Sequence, residues 1–299
     1  MIEKISEHVY ILDVETLGYK GAIAAYVILG DNEEAAIIDP GPKISIENVV
    51  SKLSSLENIN SIKYIFGTHI HLDHFGGGAT LLKKYPSSKI YVHPRGVKHI
   101  INPERLWNAT LNVLKDAAEL YGKPHPADPS KVIGIEDNQV FDLGGVQIKA
   151  LYTPGHAPHH VSYYVIPDRI MITGDSVGIY LEGALYPVSI HPYDLECAIR
   201  SLERMLEFKP QIVAFAHFGV NNDGEGILRK SIKKHQMWKD WILEMLSMGL
   251  SKEEIYEKML DIDAELKFIV ERRESIPYFK GSGQRCVYGM IEAIKSSKS

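Results

Sequence analysis

The apolar run Ser-Ile-Lys-Tyr-Ile-Phe at residues 61–66 leads straight into Gly-Thr-His-Ile-His-Leu-Asp-His-Phe-Gly-Gly-Gly at residues 67–78. Four metal-seeking side chains, His69, His71, Asp73 and His74, fall within six residues there. An extended chain sends alternate side chains to one side, so His69 and His71 point the same way if the strand runs on through them. Asp73 and His74 come where the chain turns toward a helix. Imidazole and carboxylate suit zinc, which takes three or four protein ligands. One loop cannot surround an ion, so further ligands have to arrive from elsewhere. Three candidates share the same setting, each after an apolar run: His156 behind Thr-Pro-Gly, Asp175 in Thr-Gly-Asp-Ser, and His217 in Ala-Phe-Ala-His-Phe-Gly. Four strand ends meeting at one rim of a sheet make an enzyme-like metal pocket.

The rest of the chain supplies such a sheet. Strand-like runs at 8–15, 22–31 and 33–41 precede a short helix at about 45–56 and the strand that enters the metal loop. A helix at 79–86, halted by Pro86, and a strand at 89–94 follow. Strands alternating with helices predict an α/β domain. Residues 102–121 then show helical spacing, with Leu106, Leu111, Leu114 and Ala118 near one face, before Gly122 and the connector of Pro124, Pro126 and Pro129. We read about 97–130 as an insertion, forming either a lid or wall beside the site or a helix packed on the sheet edge. Strands resume at 138–156, with a hairpin turn at Gly144-Gly145, and at 160–176. An amphipathic helix at 194–206 and a buried strand at 211–219 complete a unit at 1–220. Beyond it the strand signal vanishes, and 221–299 reads as a helical appendage with a capping box at Ser251 and Glu254.

Composition narrows the function. The formal net charge of -5 weighs against a nucleic-acid or anionic-membrane binder, and no apolar stretch approaches the length of a membrane span. Arg229, Lys230, Lys233 and Lys234 share one helical face, which reads as a solvated basic face. Cys197 and Cys286 form no C-x-x-C pair, and the charged N-terminal stretch does not read as a signal peptide, so a reducing cytoplasm is expected. The oligomeric state is left open.

The ordered set Thr-His-x-His-x-Asp-His, Thr-Pro-Gly-His, Gly-Asp and a late strand-end histidine resembles the metallo-β-lactamase superfamily over 1–220, and within it the glyoxalase II-like hydrolases. The resemblance implies an αβ/βα four-layer sandwich of two mixed sheets with helices outside. It assigns His69, His71 and His156 to a first divalent ion and Asp73, His74 and His217 to a second, with Asp175 bridging. Zinc is the expected metal, with iron or manganese as alternatives. Asp39, in Ile-Ile-Asp-Pro-Gly, and His160 would support the ligands rather than bind metal. A metal-bridging hydroxide would attack the carbonyl of a small ester-type substrate (thioester, lactone or related acyl compound), with Asp73 orienting the proton. Alternatives within the superfamily are a phosphodiesterase acting on RNA and a mononuclear-iron persulfide dioxygenase-like oxidoreductase. Trp107, Tyr180, Tyr186, His191 and Tyr193 are the expected substrate-lining side chains, with His93 weaker, and His159 is read as a surface residue.

Overall fold

The computed structural model of the chain describes residues 1–56, 59 and 61–297; the last two residues of the expected helical appendage therefore lie outside the described residues. Its first sheet runs in chain order: β1 (Ile2–Lys4), β2 (Val9–Asp13), β3 (Ala24–Leu29), β4 (Glu34–Ile38), β5 (Ser61–Phe66), β6 (Lys89–Val92) and β7 (Val132–Gly134). The pairs from β1 to β4 are antiparallel, and those from β4 to β7 are parallel. Each parallel pair needs a crossover. Helix α1 (Ile46–Leu53) supplies the first; α2 (Leu72–Phe75) and α3 (Gly78–Lys84) supply the second; α4 (Pro94–Ile101), α5 (Glu104–Leu114) and α6 (Asp116–Glu119) supply the third.

The second sheet contains β8 (Val140–Leu143), β9 (Val146–Tyr152), β10 (Val161–Val165) and β11 (Ile170–Ile172). After the separate hairpin of β12 (Ile179–Leu181) and β13 (Ala184–Tyr186), helix α7 (Leu195–Glu207) carries the chain back to β14 (Ile212–Ala214), which pairs parallel with β11, and to β15 (Val220–Asn221). Between β8 and β9 the predicted turn has Gly144 and Gly145 both at positive φ, 58° and 96°, as a two-residue hairpin of this twist requires.

Alternation within the strands builds the layers. Ala24, Tyr26 and Ile28 face inward with Ala36, Ile38 and Phe66, meeting Ile148, Ala150, Val161, Tyr163 and Ile172 of the second sheet. Their neighbours Ala25, Val27, Ile37 and Ile65 face outward under α1 and α3, while Met171 and Val213 face outward under α7. This is the four-layer αβ/βα sandwich. Four further helices follow: α8 (Gly224–Ser247), α9 (Lys252–Ile262), α10 (Ala264–Arg273) and α11 (Ser282–Ser296). Trp238, Ile255, Leu266, Ile269, Cys286 and Met290 from these helices share one buried cluster with the outer side of the first sheet. Fully burying side chains of this size contributes about 1.5–3 kcal/mol each, which fixes the helices against the site-bearing end. The capping box is formed, with Ser251 Oγ accepting from Glu254 N–H and Glu254 Oε2 accepting from Ser251 N–H.

Two expectations change. The single helix over 102–121 breaks at Lys115, whose φ of 50° and ψ of -127° cannot continue a helix. The basic face on α8 is only partly solvated: Lys234 is buried and pairs with Asp263 and Glu265, while Lys230 pairs with Glu265. The glycines after the metal loop allow close packing. A Cβ on Gly77 would lie 2.3 Å from Ile46 Cδ1, and one on Gly78 would lie 2.4 Å from the Phe75 ring.

Candidate metal centre

The site forms where β4, β5, β9, β11 and β14 end. Asp39, just past β4, takes a left-handed φ of 52°, a conformation that a short polar side chain tolerates best among non-glycine residues. Its carboxylate accepts the Thr68 backbone N–H at 2.7 Å, the Thr68 hydroxyl at 2.6 Å and His74 Nδ1–H at 3.1 Å. Because the Thr68 hydroxyl donates to Asp39, it accepts from His69 Nδ1–H at 3.0 Å. That contact turns the Nε2 lone pair of His69 inward. His156 donates Nδ1–H to the Val188 carbonyl at 2.8 Å, which turns its Nε2 the same way. Both Nε2 atoms lie 3.0 Å from Nδ1 of His71. Ligands about 2.0–2.1 Å from a tetrahedral ion stand roughly 3.3 Å apart, so these nitrogens are spaced to hold a cation.

A second group lies beside the first. Asp175 Oδ1 is 3.4 Å from His74 Nε2 and 3.2 Å from His217 Nε2, and Asp73 Oδ2 lies 3.7 Å and 4.0 Å from the same two nitrogens. Asp175 Oδ2 faces back to His156 Nε2 at 3.5 Å. His74 Nε2 and Asp175 Oδ1 are buried and make no hydrogen bond. Buried polar atoms are seldom left so, and a divalent ion between them would satisfy both. Electrostatics agree. Burial, followed by the neighbouring rings, holds His69 and His71 well below the usual histidine range, and burial also lowers His156, so all three are neutral ligands. Burial opposes charge on His74 as well, yet Asp175 and Asp73 outweigh it and hold that ring protonated; a bound cation takes the place of that proton. Burial pushes Asp175 up, but His217, His74 and His156 together keep it well below the carboxylate range.

A model of the metallo-beta-lactamase superfamily matches residues 18–217. The chain belongs to the metallo-beta-lactamase superfamily. It is a metal-dependent hydrolase of that group, and its clustered histidines and aspartates suit metal ions. It is similar to a metallo-beta-lactamase fold-containing protein of Sulfurisphaera tokodaii, at 32% identity over 84% of this chain and 92% of the other. A metallo-beta-lactamase family protein from Thermus thermophilus, 17% identical, superposes with a TM-score of 0.71 over 97% of this chain and 94% of its own, so the fold likeness extends through the C-terminal helices. A probable hydroxyacylglutathione hydrolase of Schizosaccharomyces pombe is 28% identical over 53% of this chain and 52% of its own length.

In this superfamily member the histidine groups open on a cavity of about 270 Å³. His71, Asp73, Asp175 and His217 form its floor side. Leu106, Ala109, Thr110, Val113 and Leu114 of α5 wall it, as do Tyr278, Phe279, Ser282, Arg285 and Cys286 from the chain after α10. Helix α5 is therefore a wall of the cavity. His191 lines it; Trp107, Tyr180, Tyr186 and Tyr193 do not. The physical reason is packing. Tyr180 stacks on Phe215 at 4.6 Å, Tyr186 stacks on Trp238, Tyr193 lies over His235, and Trp107 joins the outer apolar cluster. His93 packs against the tilted ring of Tyr152 and caps α4 instead. His159 is half-buried, not a surface residue, with its ring 6.3 Å and 6.1 Å from those of His69 and His71. His160 stacks on His69 at 5.1 Å, binds Thr153 through Nδ1, and accepts the Asp175 backbone N–H at Nε2. Both its nitrogens are thus engaged outside the ligand groups, and it holds Asp175 in place. The cavity wall from α11 carried no signal in the sequence, since Ser282, Arg285 and Cys286 follow ordinary helical spacing.

Proposed function

We propose that this chain is a dinuclear hydrolase of small ester-type acyl compounds, thioesters or lactones, of the glyoxalase II-like kind. The observation that carries this reading is the placing of Asp175, with one oxygen toward each histidine group. Two divalent ions, zinc foremost among those these donors suit, would be held by His69, His71 and His156 and by Asp73, His74 and His217, with Asp175 between; bound there, such ions supply a water of lowered pKa and polarise a carbonyl oxygen.

The chain's own residues do the rest. Asp73, with its side chain 21% exposed against 4% for Asp175, is the carboxylate with more access to the cavity and the better placed to hold a proton at the reacting atoms. The apolar wall of Leu106, Val113, Leu114 and Phe279 receives the acyl body and excludes water, which strengthens every polar contact inside. An apolar wall suits a small organic substrate better than a polyanionic strand, and Lys230 and Lys234 of α8 are taken up by acids rather than free for phosphates. The likeness to a relative named as a probable hydroxyacylglutathione hydrolase adds support.

The test is a panel of initial rates with zinc-reconstituted protein on thioesters, lactones, a β-lactam and a phosphodiester, with His71→Ala as blank. A carbonyl class turned over at a kcat/KM above about 10⁴ M⁻¹s⁻¹ is the expected result. Turnover of the phosphodiester alone replaces this reading with the nuclease.

A further inference from the structure

One wall of the cavity is out of character with the rest. Apart from the metal-facing groups, its lining is mostly aliphatic and aromatic, yet α11 sets Arg285 into it, with Ser282 three residues earlier and so close to the same helical face. Among the described residues no carboxylate stands within ion-pair distance of this guanidinium; one nitrogen, Nη1, donates to the Lys280 carbonyl at 2.8 Å. Nε is buried and has no partner. The contrast with α8 is direct, since Lys230 and Lys234 there are both matched by acids. The two carboxylates on the cavity, Asp73 and Asp175, are turned to the histidines. A guanidinium offers five donors in a planar fork that fits a carboxylate or phosphate, and leaving buried donors unmatched in an apolar wall is costly.

We propose that Arg285, assisted by Ser282, binds an anionic group of the substrate, so that the substrate is an acyl compound with an apolar body and a carboxylate or phosphate at one end. The proposal rests on the cavity being the substrate site, as in the function proposed above. At about 270 Å³ the cavity lies near the lower end of small-molecule sites, which span roughly 300–1,000 Å³. A compact ligand therefore engages the anion site and the histidine groups at once. Selectivity follows, because a neutral analogue leaves the Arg285 donors unmatched.

Binding is tested apart from turnover. Full-length protein stripped of metal by chelator is titrated calorimetrically with 4-phenylbutyrate and with its neutral counterpart 4-phenylbutanol. The wild-type chain is expected to bind the carboxylate at least about tenfold more tightly, Arg285→Gln to lose that preference, and Arg285→Lys to keep part of it. Equal binding of the two ligands by the wild-type chain overturns the proposal, as does a preference that survives in Arg285→Gln. The zinc-loaded protein is then given two thioester pairs, succinyl against butyryl on one neutral thiol, and butyryl on 3-mercaptopropionate against butyryl on propanethiol. A preference of about tenfold in kcat/KM for the charged member, lost in Arg285→Gln, tells whether the anion sits on the acyl part or on the leaving group. Turnover indifferent to charge in both pairs overturns the assignment. A binding preference without any turnover supports the anion site and removes the hydrolase reading instead.

Discussion

Asp175 turns its two carboxylate oxygens to different histidines, Oδ2 to His156 Nε2 at 3.5 Å and Oδ1 to His217 Nε2 at 3.2 Å. One side chain thus faces both histidine groups. Asp175→Asn keeps the size and removes the charge, so it is expected to weaken both groups, whereas His156→Ala and His217→Ala each damage one. Metal analysis after dialysis against micromolar zinc checks this. We expect about two ions per chain in the wild-type protein, about one in each histidine variant and fewer than one in Asp175→Asn. Two ions retained by Asp175→Asn would sink the shared role.

Asp39 works through its neighbours. It anchors the Thr68 N–H, the Thr68 hydroxyl that aims His69, and His74 Nδ1. Asp39→Ala leaves those buried donors without an acceptor, at a cost of about 1–3 kcal/mol in folding stability. Metal affinity should fall about 10–100-fold, the usual effect of losing a residue that orients ligands. Chelator competition and urea unfolding on the same samples measure both. An unchanged affinity with lowered stability would reduce Asp39 to a purely structural residue.

The C-terminal helices reach the site through Arg273, whose Nη2 donates to the His217 backbone carbonyl at 2.6 Å while its guanidinium lies 4.8 Å from the centre of the Phe279 ring. His217 precedes Phe218, held at a φ of 77°, a conformation that persists only where surrounding contacts enforce it. Arg273→Met is expected to loosen His217 and lower affinity for one of the two zinc equivalents by about tenfold, leaving the other in place. A chelator titration that resolves the two equivalents decides it. Equal affinity for both equivalents in variant and wild-type protein would show that the helices do not position this residue.

Long strands and the strand-end ligands were legible because each carries a repeated signal. The run 61–66 leads into His69 and His71, and residues 22–29 and 35–38 are continuous apolar runs, as strands buried on both faces read. Three-residue strands such as β1, β7, β12 and β13 hold too few alternations to stand out. The same limit explains the tyrosines: position after Asp175 placed Tyr180 and Tyr186 near the site, but the β12–β13 hairpin turns them onto Phe215 and Trp238. Arg285 was unreadable because its meaning comes from α5 and the metal loop, which meet it only in three dimensions.

His235, on α8 under Tyr193, gives the chain an acid-sensitive contribution to stability from outside the ligand groups. Burial lowers its pKa to about 4, although its Nδ1 lies 2.8 Å from the Ser231 carbonyl. The ordinary value, which the unfolded chain takes, is 6.5. Above that value neither state binds the proton, and the full stability is present. As pH falls below it the unfolded chain takes up a proton that the folded ring refuses, so stability declines until the folded ring titrates near 4. The total is about 3 kcal/mol, at about 1.4 kcal/mol per unit of pKa difference. His235→Gln retains a donor for the Ser231 carbonyl and removes the titration. Urea unfolding of the metal-stripped proteins at pH 7 and pH 4.5 should therefore show the variant losing about 2–3 kcal/mol less than the wild-type chain. The ligand histidines titrate alike in both proteins and cancel in that difference, so equal losses would mean that His235 is already solvated in the folded chain.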